Sequence, residues 1–184
     1  MKFIPTAIPD LYEIEPRVFG DHRGYFFESY SDEAFAKEGI QVAFKQDNES
    51  LSNAGVLRGL HFQRPPMAQG KLVRVQRGSV LDVAVDLRKG SPTYGQHHKV
   101  VLSGENKKML WIPAGFAHGF ATLEDHTVFL YKCTNTYSPE DEGSLYWNDQ
   151  DLGIDWGVSD PKLSAKDTEG PSFKDFETPF KYEG

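Results

Sequence analysis

The chain has 184 residues, 39% of them apolar and 26% charged, with a formal net charge of −7. That length supports one domain spanning residues 1–184 with a core of its own, and the acidic balance disfavours nucleic acid, whose phosphates require a basic face. No apolar run is long enough to cross a membrane, and the single cysteine, Cys133, permits neither an intrachain disulfide nor a thiolate metal cluster.

The opening "MKFIPTAIPDLYEIEP" carries prolines and acids where a signal peptide needs an unbroken apolar stretch, so a cytoplasmic location is expected. Next comes the one clear helix signal, "SDEAFAKEGI" at residues 31–40. Ser31 can cap it, Asp32 and Glu33 suit its N-terminus, Lys37 suits its last turn and Gly39 its exit. Beyond it the chain reads as short strands. "KLVRVQRGSVLDVAVDLR" holds two strands meeting at a turn on Arg77 and Gly78, the second rich in β-branched residues. "KVVLSGENKKMLWIP" repeats the pattern around Gly104, Glu105 and Asn106, and "HTVFLYKCTNTY" alternates once more. Many short strands with turn signals between them predict an all-β barrel or sandwich. From about Trp147 the sequence turns polar, acidic and aperiodic, apart from "IDWGV", and predicts a C-terminal tail wrapping back over the barrel.

The stretch "GVLRGLHFQRPPMAQGKLVRVQRG", residues 55–78, concentrates cations in an acidic chain: Arg58, His61, Arg64, Lys71, Arg74 and Arg77. Strand parity puts Lys71 on one face with Val73 and Val75, and Leu72, Arg74 and Gln76 on the other. An ammonium buried with valines requires an anionic partner or ligand. The pattern equally allows Lys71 to emerge into solvent at the strand's start. Arg58 and His61 fall on opposite faces under strict alternation, unless Gly59 hosts a bulge that realigns them. His61 then reads either as structural or as a working base among cations. Tyr131 alternates with Phe129 and Cys133, as packing or as a proton donor with an unperturbed pKa of about 10.

In "WIPAGFAHGF", Pro113, Gly115 and His118 resemble the second motif of the cupin fold, where proline and glycine make a tight turn and histidine faces into the barrel. Cupin metal sites also need an His-x-His and a glutamate. Here His61-Phe62-Gln63 lacks the second histidine, and the rings of His97 and His98 would face opposite ways in a strand, so no metal site is expected. No G-x-G-x-x-G fingerprint follows a strand, so a dinucleotide cofactor is not expected either.

The stretches "FGDHRGYFFESY", "FKQDNESLSNAGVLRGLHFQRPPMAQGKLVRVQRGSVLDVAVDLRKGSPTYG", "LWIPAGFAHGF", "YKCTNTYSPEDEGSLYWND" and "LSAKD" follow one another along almost the whole chain. In that order they resemble the dTDP-4-dehydrorhamnose 3,5-epimerases, with "LRGLHFQ" and "AQGKLVRV" the most specific. Departures are mild: Phe62 where tyrosine is common, and "WNDQD" where "WNDP" is usual. The resemblance implies a cupin-type double-stranded β-helix (jelly-roll) barrel with a short N-terminal helix. It also implies a cofactor-free enzyme that inverts C3 and C5 of dTDP-4-dehydro-6-deoxy-D-glucose in dTDP-L-rhamnose biosynthesis.

In that reading His61 is the general base, Asp167 holds its imidazole, Tyr131 returns the proton from the opposite face, and Lys71 stabilises the enolate. His118 lines the same pocket. The substrate's nucleotide half falls to Arg23, Phe26, Glu28, Gln46, Asp47, Asn48, Arg58, Tyr137, Glu142 and Lys166, with Phe19 and Phe120 as further walls. The family's homodimeric habit implies that residues 23–28 serve the neighbouring subunit's site. Three alternatives remain open: an epimerase acting only at C3 or only at C5, a metal-dependent cupin oxygenase, and a non-catalytic sugar-binding cupin.

Overall fold

Alternating side chains and frequent turn residues give a chain built almost wholly of short antiparallel strands. A computed structural model describes residues 1–184, with strands at Lys2–Pro5 (β1), Tyr12–Glu15 (β2), Val18–Asp21 (β3), Gly24–Phe27 (β4), Gln46–Ser52 (β5), Leu57–Gln63 (β6) and Lys71–Arg77 (β7). These are followed by Ser79–Asp86 (β8), His97–Ser103 (β9), Met109–Ile112 (β10), Phe116–Thr122 (β11), Thr127–Cys133 (β12) and Glu142–Ser144 (β13). Two short helices, Asp32–Lys37 (α1) and Ala165–Thr168 (α2), complete the regular structure. The all-β expectation holds. No helix is long and apolar enough to cross a membrane.

The strands form a six-stranded sheet in the order β1-β2-β10-β7-β12-β5 and a five-stranded sheet in the order β13-β6-β11-β8-β9, while β3 and β4 make a separate hairpin. The strands on either side of Gly78 do meet there, yet they do not pair: β7 lies in one sheet and β8 in the other. The same holds for β9 and β10 around residues 104–106. Both turns carry the chain across the sandwich. Gly78 is fixed by its positive φ and by Thr127, whose Oγ1 would stand 2.2 Å from a Cβ.

Three apolar layers follow from this arrangement. Between the sheets lie Val73, Val75, Val80, Leu102, Leu110, Phe120 and Phe129, all buried. The outer face of the six-stranded sheet is covered by α1, whose Phe35 meets Ile14, Leu72, Met109 and Trp111. Ser31 caps this helix by accepting from the Ala34 N–H at 3.3 Å, and the helix is shorter than residues 31–40 because Glu38 already leaves helical geometry. On the outer face of the five-stranded sheet, Leu57, Phe62, Val83 and Val85 pack against Leu145, Leu152, Ile154, Trp156 and Phe180.

The β6–β11 ladder pairs His61 with His118 and Arg58 with Phe120, so three steps on β6 answer two on β11. The extra residue is a bulge at Gly59 and Leu60, and it turns Arg58 and His61 to the same side. Gly59 has φ +148, and a Cβ there would come within 2.6 Å of Gly119 Cα, so the two glycines let the strand backbones close together. Gly59→Ala should therefore cost more than about 2 kcal/mol. Urea unfolding of the variant checks this, and unchanged stability would show that the ladder tolerates a side chain at the bulge.

Candidate active site

The bulge on β6 and the inward faces of β5, β7, β11 and β12 enclose a cavity of about 110 Å³ between the two sheets. Its lining brings together Ser50, Arg58, His61, Lys71, His118 and Tyr131, with the rings of Phe120 and Phe129 as an apolar floor. Those two rings stack at 4.2 Å. Lys71 faces inward on the side of Val73 and Val75, while Leu72 packs outward, as parity requires.

Each histidine has a carboxylate at its back. His118 Nε2 lies 2.9 and 3.1 Å from the two oxygens of Asp82, which is completely buried. Burial pulls the His118 imidazole below its ordinary value against the pull of Asp82, and the neighbouring Lys71 and His61 lower it further. His61 Nε2 approaches Asp167 Oδ1 to 2.9 Å, but the ring N–H is not aligned on it, so Nε2 is buried without a well-formed hydrogen bond.

Asp167 is brought to β6 by α2. It accepts from the Gly59 N–H at 3.1 Å through Oδ1, and from the Ser164 N–H at 3.0 Å and the Ser164 hydroxyl at 2.5 Å through Oδ2. Burial alone would raise its pKa. The contacts from His61, Ser164 and Gly59 outweigh burial and hold the carboxyl well below the usual range.

Tyr131 and Lys71 are perturbed in the directions that keep a phenol protonated and weaken a buried amine's hold on its proton. Burial, followed by Cys133, raises the Tyr131 hydroxyl, with Arg58 opposing. Burial lowers Lys71, while Cys133, Asp82 and Glu142 pull the other way. No three histidine, cysteine or carboxylate side chains converge as a metal site would require.

The remaining expected residues fall into three groups. Tyr137, Glu142 and Lys166 form a cluster at the rim: the Tyr137 hydroxyl donates to Glu142 at 2.8 Å, and Lys166 pairs with the same carboxylate. Glu142 stands opposite Gln63 on β6, two residues beyond His61. Gln46 and Asn48 share one face of β5, joined by a 2.9 Å hydrogen bond, and Gln46 also accepts from the Tyr137 N–H at 2.9 Å. Asp47 points to the other face, where it pairs with Lys132 at 2.9 Å and borders a separate cavity of about 190 Å³. Arg23, Phe26 and Glu28 do not line the cavity that holds His61. They lie on or just beyond the β3–β4 hairpin, where Phe26 is 69% exposed and Arg23 folds back onto Asp21.

Asp82, Ser50 and Ser164 were missed in the sequence. Asp82 had a legible signal, a lone acid inside the apolar strand "SVLDVAV". Ser164 had one too, standing three residues before Asp167 as in a capping box.

An all-β sandwich with an imidazole, a phenol and an ammonium around one internal cavity defines an enzyme that moves protons. The family model described as dTDP-4-dehydrorhamnose 3,5-epimerase matches residues 5–175. A relative of that name from Salmonella typhimurium is 60% identical over 173 residues, 93% of this chain and 94% of its own. Another of that name, from Pseudomonas aeruginosa, is 56% identical over 95% of this chain and 97% of its own. The solved structure of a dTDP-6-deoxy-D-glucose-3,5-epimerase from Legionella pneumophila, in complex with dTDP-4-keto-L-rhamnose, has a TM-score of 0.95 at 47% identity, covering 100% of this chain and 99% of its own. The chain belongs to the dTDP-4-dehydrorhamnose 3,5-epimerase family.

Because the fold favours ionised Asp167, its contribution to stability is complete above the unfolded value of about 3.9 and is lost as pH falls through the lower folded value. Asp167→Asn should be less stable than the parent at pH 7, by about 2–4 kcal/mol. The gap should narrow in denaturant titrations repeated toward pH 3; an equal gap at both pH values would assign the loss to packing instead.

Proposed function

We propose that the protein inverts C3 and C5 of dTDP-4-dehydro-6-deoxy-D-glucose, giving dTDP-4-dehydro-L-rhamnose for dTDP-L-rhamnose biosynthesis, without metal or organic cofactor. The observation that carries this reading is the placement of His61 and Tyr131 on facing sheets. His61 stands on β6 of the five-stranded sheet and Tyr131 on β12 of the six-stranded sheet, with one cavity between them. A sugar ring held there meets a base on one face and an acid on the other.

His61 removes the proton from the carbon beside the C4 ketone. The C–H electrons form a carbon–carbon double bond and the carbonyl pair moves to oxygen, giving an enolate whose charge Lys71 offsets. The carbonyl then re-forms as the carbon takes a proton from the Tyr131 hydroxyl on the opposite face, which inverts that centre. Protonated His61 and the Tyr131 phenolate return to their starting states by exchange with solvent, and the cycle repeats at the second carbon. Asp167 orients the His61 imidazole, and His118 completes the wall.

Arg58 and Lys166 suit the diphosphate, and Gln46, Asn48, Tyr137 and Glu142 suit the neighbouring part of the nucleotide. Arg23, Phe26 and Glu28, outside the cavity that holds His61 within one chain, fit a homodimer in which the exposed hairpin reaches the other subunit's site; Asp47 has its place on the outer sheet face. The reading also carries a single cupin-type jelly-roll domain over residues 1–184, a C-terminal tail wrapped over it, and a cytoplasmic location.

Base and acid should fail differently when removed. His61→Ala should abolish both epimerisation and solvent exchange of the substrate's C3 and C5 hydrogens, a loss of about 10²–10⁴-fold. Tyr131→Phe keeps the ring and should still exchange deuterium from heavy water without inversion at the first carbon attacked, as read by mass spectrometry and NMR. Wild-type inversion rates in Tyr131→Phe would remove tyrosine from the mechanism, and deuterium at only one carbon in the wild type would make the protein a mono-epimerase. Prolonged dialysis against chelator should leave turnover unchanged; loss of turnover with recovery on adding a divalent ion would overturn the cofactor-free reading.

A further inference from the structure

Ser50 lines the reacting cavity, and its hydroxyl is buried without a hydrogen-bond partner among the protein's groups. An unpaired buried hydroxyl is costly, and in a binding site that cost is recovered when a ligand supplies the missing partner. The position of Ser50 narrows what that partner is. On β5, residues 46, 48, 50 and 52 face inward, opposite Cys133, Tyr131, Phe129 and Thr127 of β12. Ser50 therefore sits between Asn48, which is level with Tyr131, and Ser52, whose hydroxyl is 3.4 Å from both Nε and Nη2 of Arg58.

We infer that Ser50 is a specificity-determining residue that hydrogen-bonds the C2 hydroxyl of the substrate's sugar ring. This rests on the epimerase reading. Cations are the partners for the diphosphate oxygens and for the C4 enolate, and C3 and C5 must stay accessible to His61 and Tyr131. In a 4-dehydro-6-deoxyhexose the one non-reacting ring hydroxyl left is at C2, on the carbon between the diphosphate-bearing C1 and the reacting C3. A neutral side chain that can both donate and accept, standing between Arg58 and Tyr131, matches that group in chemistry and in place.

The test compares dTDP-4-dehydro-6-deoxyglucose with its 2-deoxy analogue in the wild-type protein and in Ser50→Ala. The wild type should prefer the parent in kcat/KM by about ten- to a hundredfold. Ser50→Ala should lose about three- to tenfold on the parent and retain little preference between the two sugars. Because the deleted hydroxyl is unpaired in the free protein, its melting temperature should stay the same or rise. An unchanged preference for the parent in Ser50→Ala would overturn the inference, as would a lowered melting temperature with parent kinetics intact, which marks a structural serine. Absence of wild-type turnover on the parent sugar would instead refute the epimerase reading on which the inference stands.

Discussion

The carboxylate of Asp167 joins the C-terminal part of the chain to the strand that carries His61. Its two oxygens take the Gly59 N–H, the Ser164 N–H and the Ser164 hydroxyl, and still present one edge to His61. Donors to a charged acceptor contribute about 1.5–3 kcal/mol each, enough to offset the cost of burying one ionised carboxyl. The geometry depends on Gly59. The bulge that turns His61 inward also directs the Gly59 N–H toward Asp167, so a single backbone irregularity supplies both the orientation of His61 and an anchor for the carboxylate beside it.

The two histidine–carboxylate pairs differ in ways that suit different work. Asp82 grips His118 through aligned contacts in a fully buried setting, and the imidazole stacks on Phe129 at 6.1 Å. Such a ring is held fixed, and burial disfavours its charged form. His61 is partly exposed to the cavity, with its carboxylate close but off the N–H axis. In the proposed mechanism that leaves His61 room to align on Asp167 when it takes a proton. A structural histidine has no need of that latitude.

Much of this was legible from residue order, and the failures have physical causes. Parity alone placed Lys71 with Val73 and Val75, because β7 alternates regularly from Lys71 to Val75 and its register slips only beyond, at Gln76. The glycine between Arg58 and His61 signalled the bulge. Parity also separates Asp47 from Gln46 and Asn48, a distinction the family resemblance, carried position by position, did not make. Sheet membership was hidden: the turns at Gly78 and at residues 104–106 have the composition of hairpin turns, yet their flanking strands enter different sheets, and only long-range pairing decides that. The strands before α1 went unread because they are four residues each and carry little alternation. Asp82 was passed over because a carboxylate in an apolar strand becomes informative only when its partner, 36 residues away, is known.

The sandwich also surrounds the Lys71 amine with counter-charges held at a distance. Burial weakens Lys71's hold on its proton, while Cys133, Asp82 and Glu142 pull the other way from a distance, with no direct salt bridge to the amine. A direct partner would stabilise the resting protein more, but in the proposed mechanism it would occupy the position where negative charge develops during enolisation. Keeping the counter-charges one layer back, behind His118 and at the rim beside Lys166, leaves the ammonium's hydrogen-bonding capacity directed into the cavity. In the proposed mechanism its attraction is then strongest for a state in which an oxyanion is present, which is the condition for accelerating proton abstraction rather than merely binding a ketone.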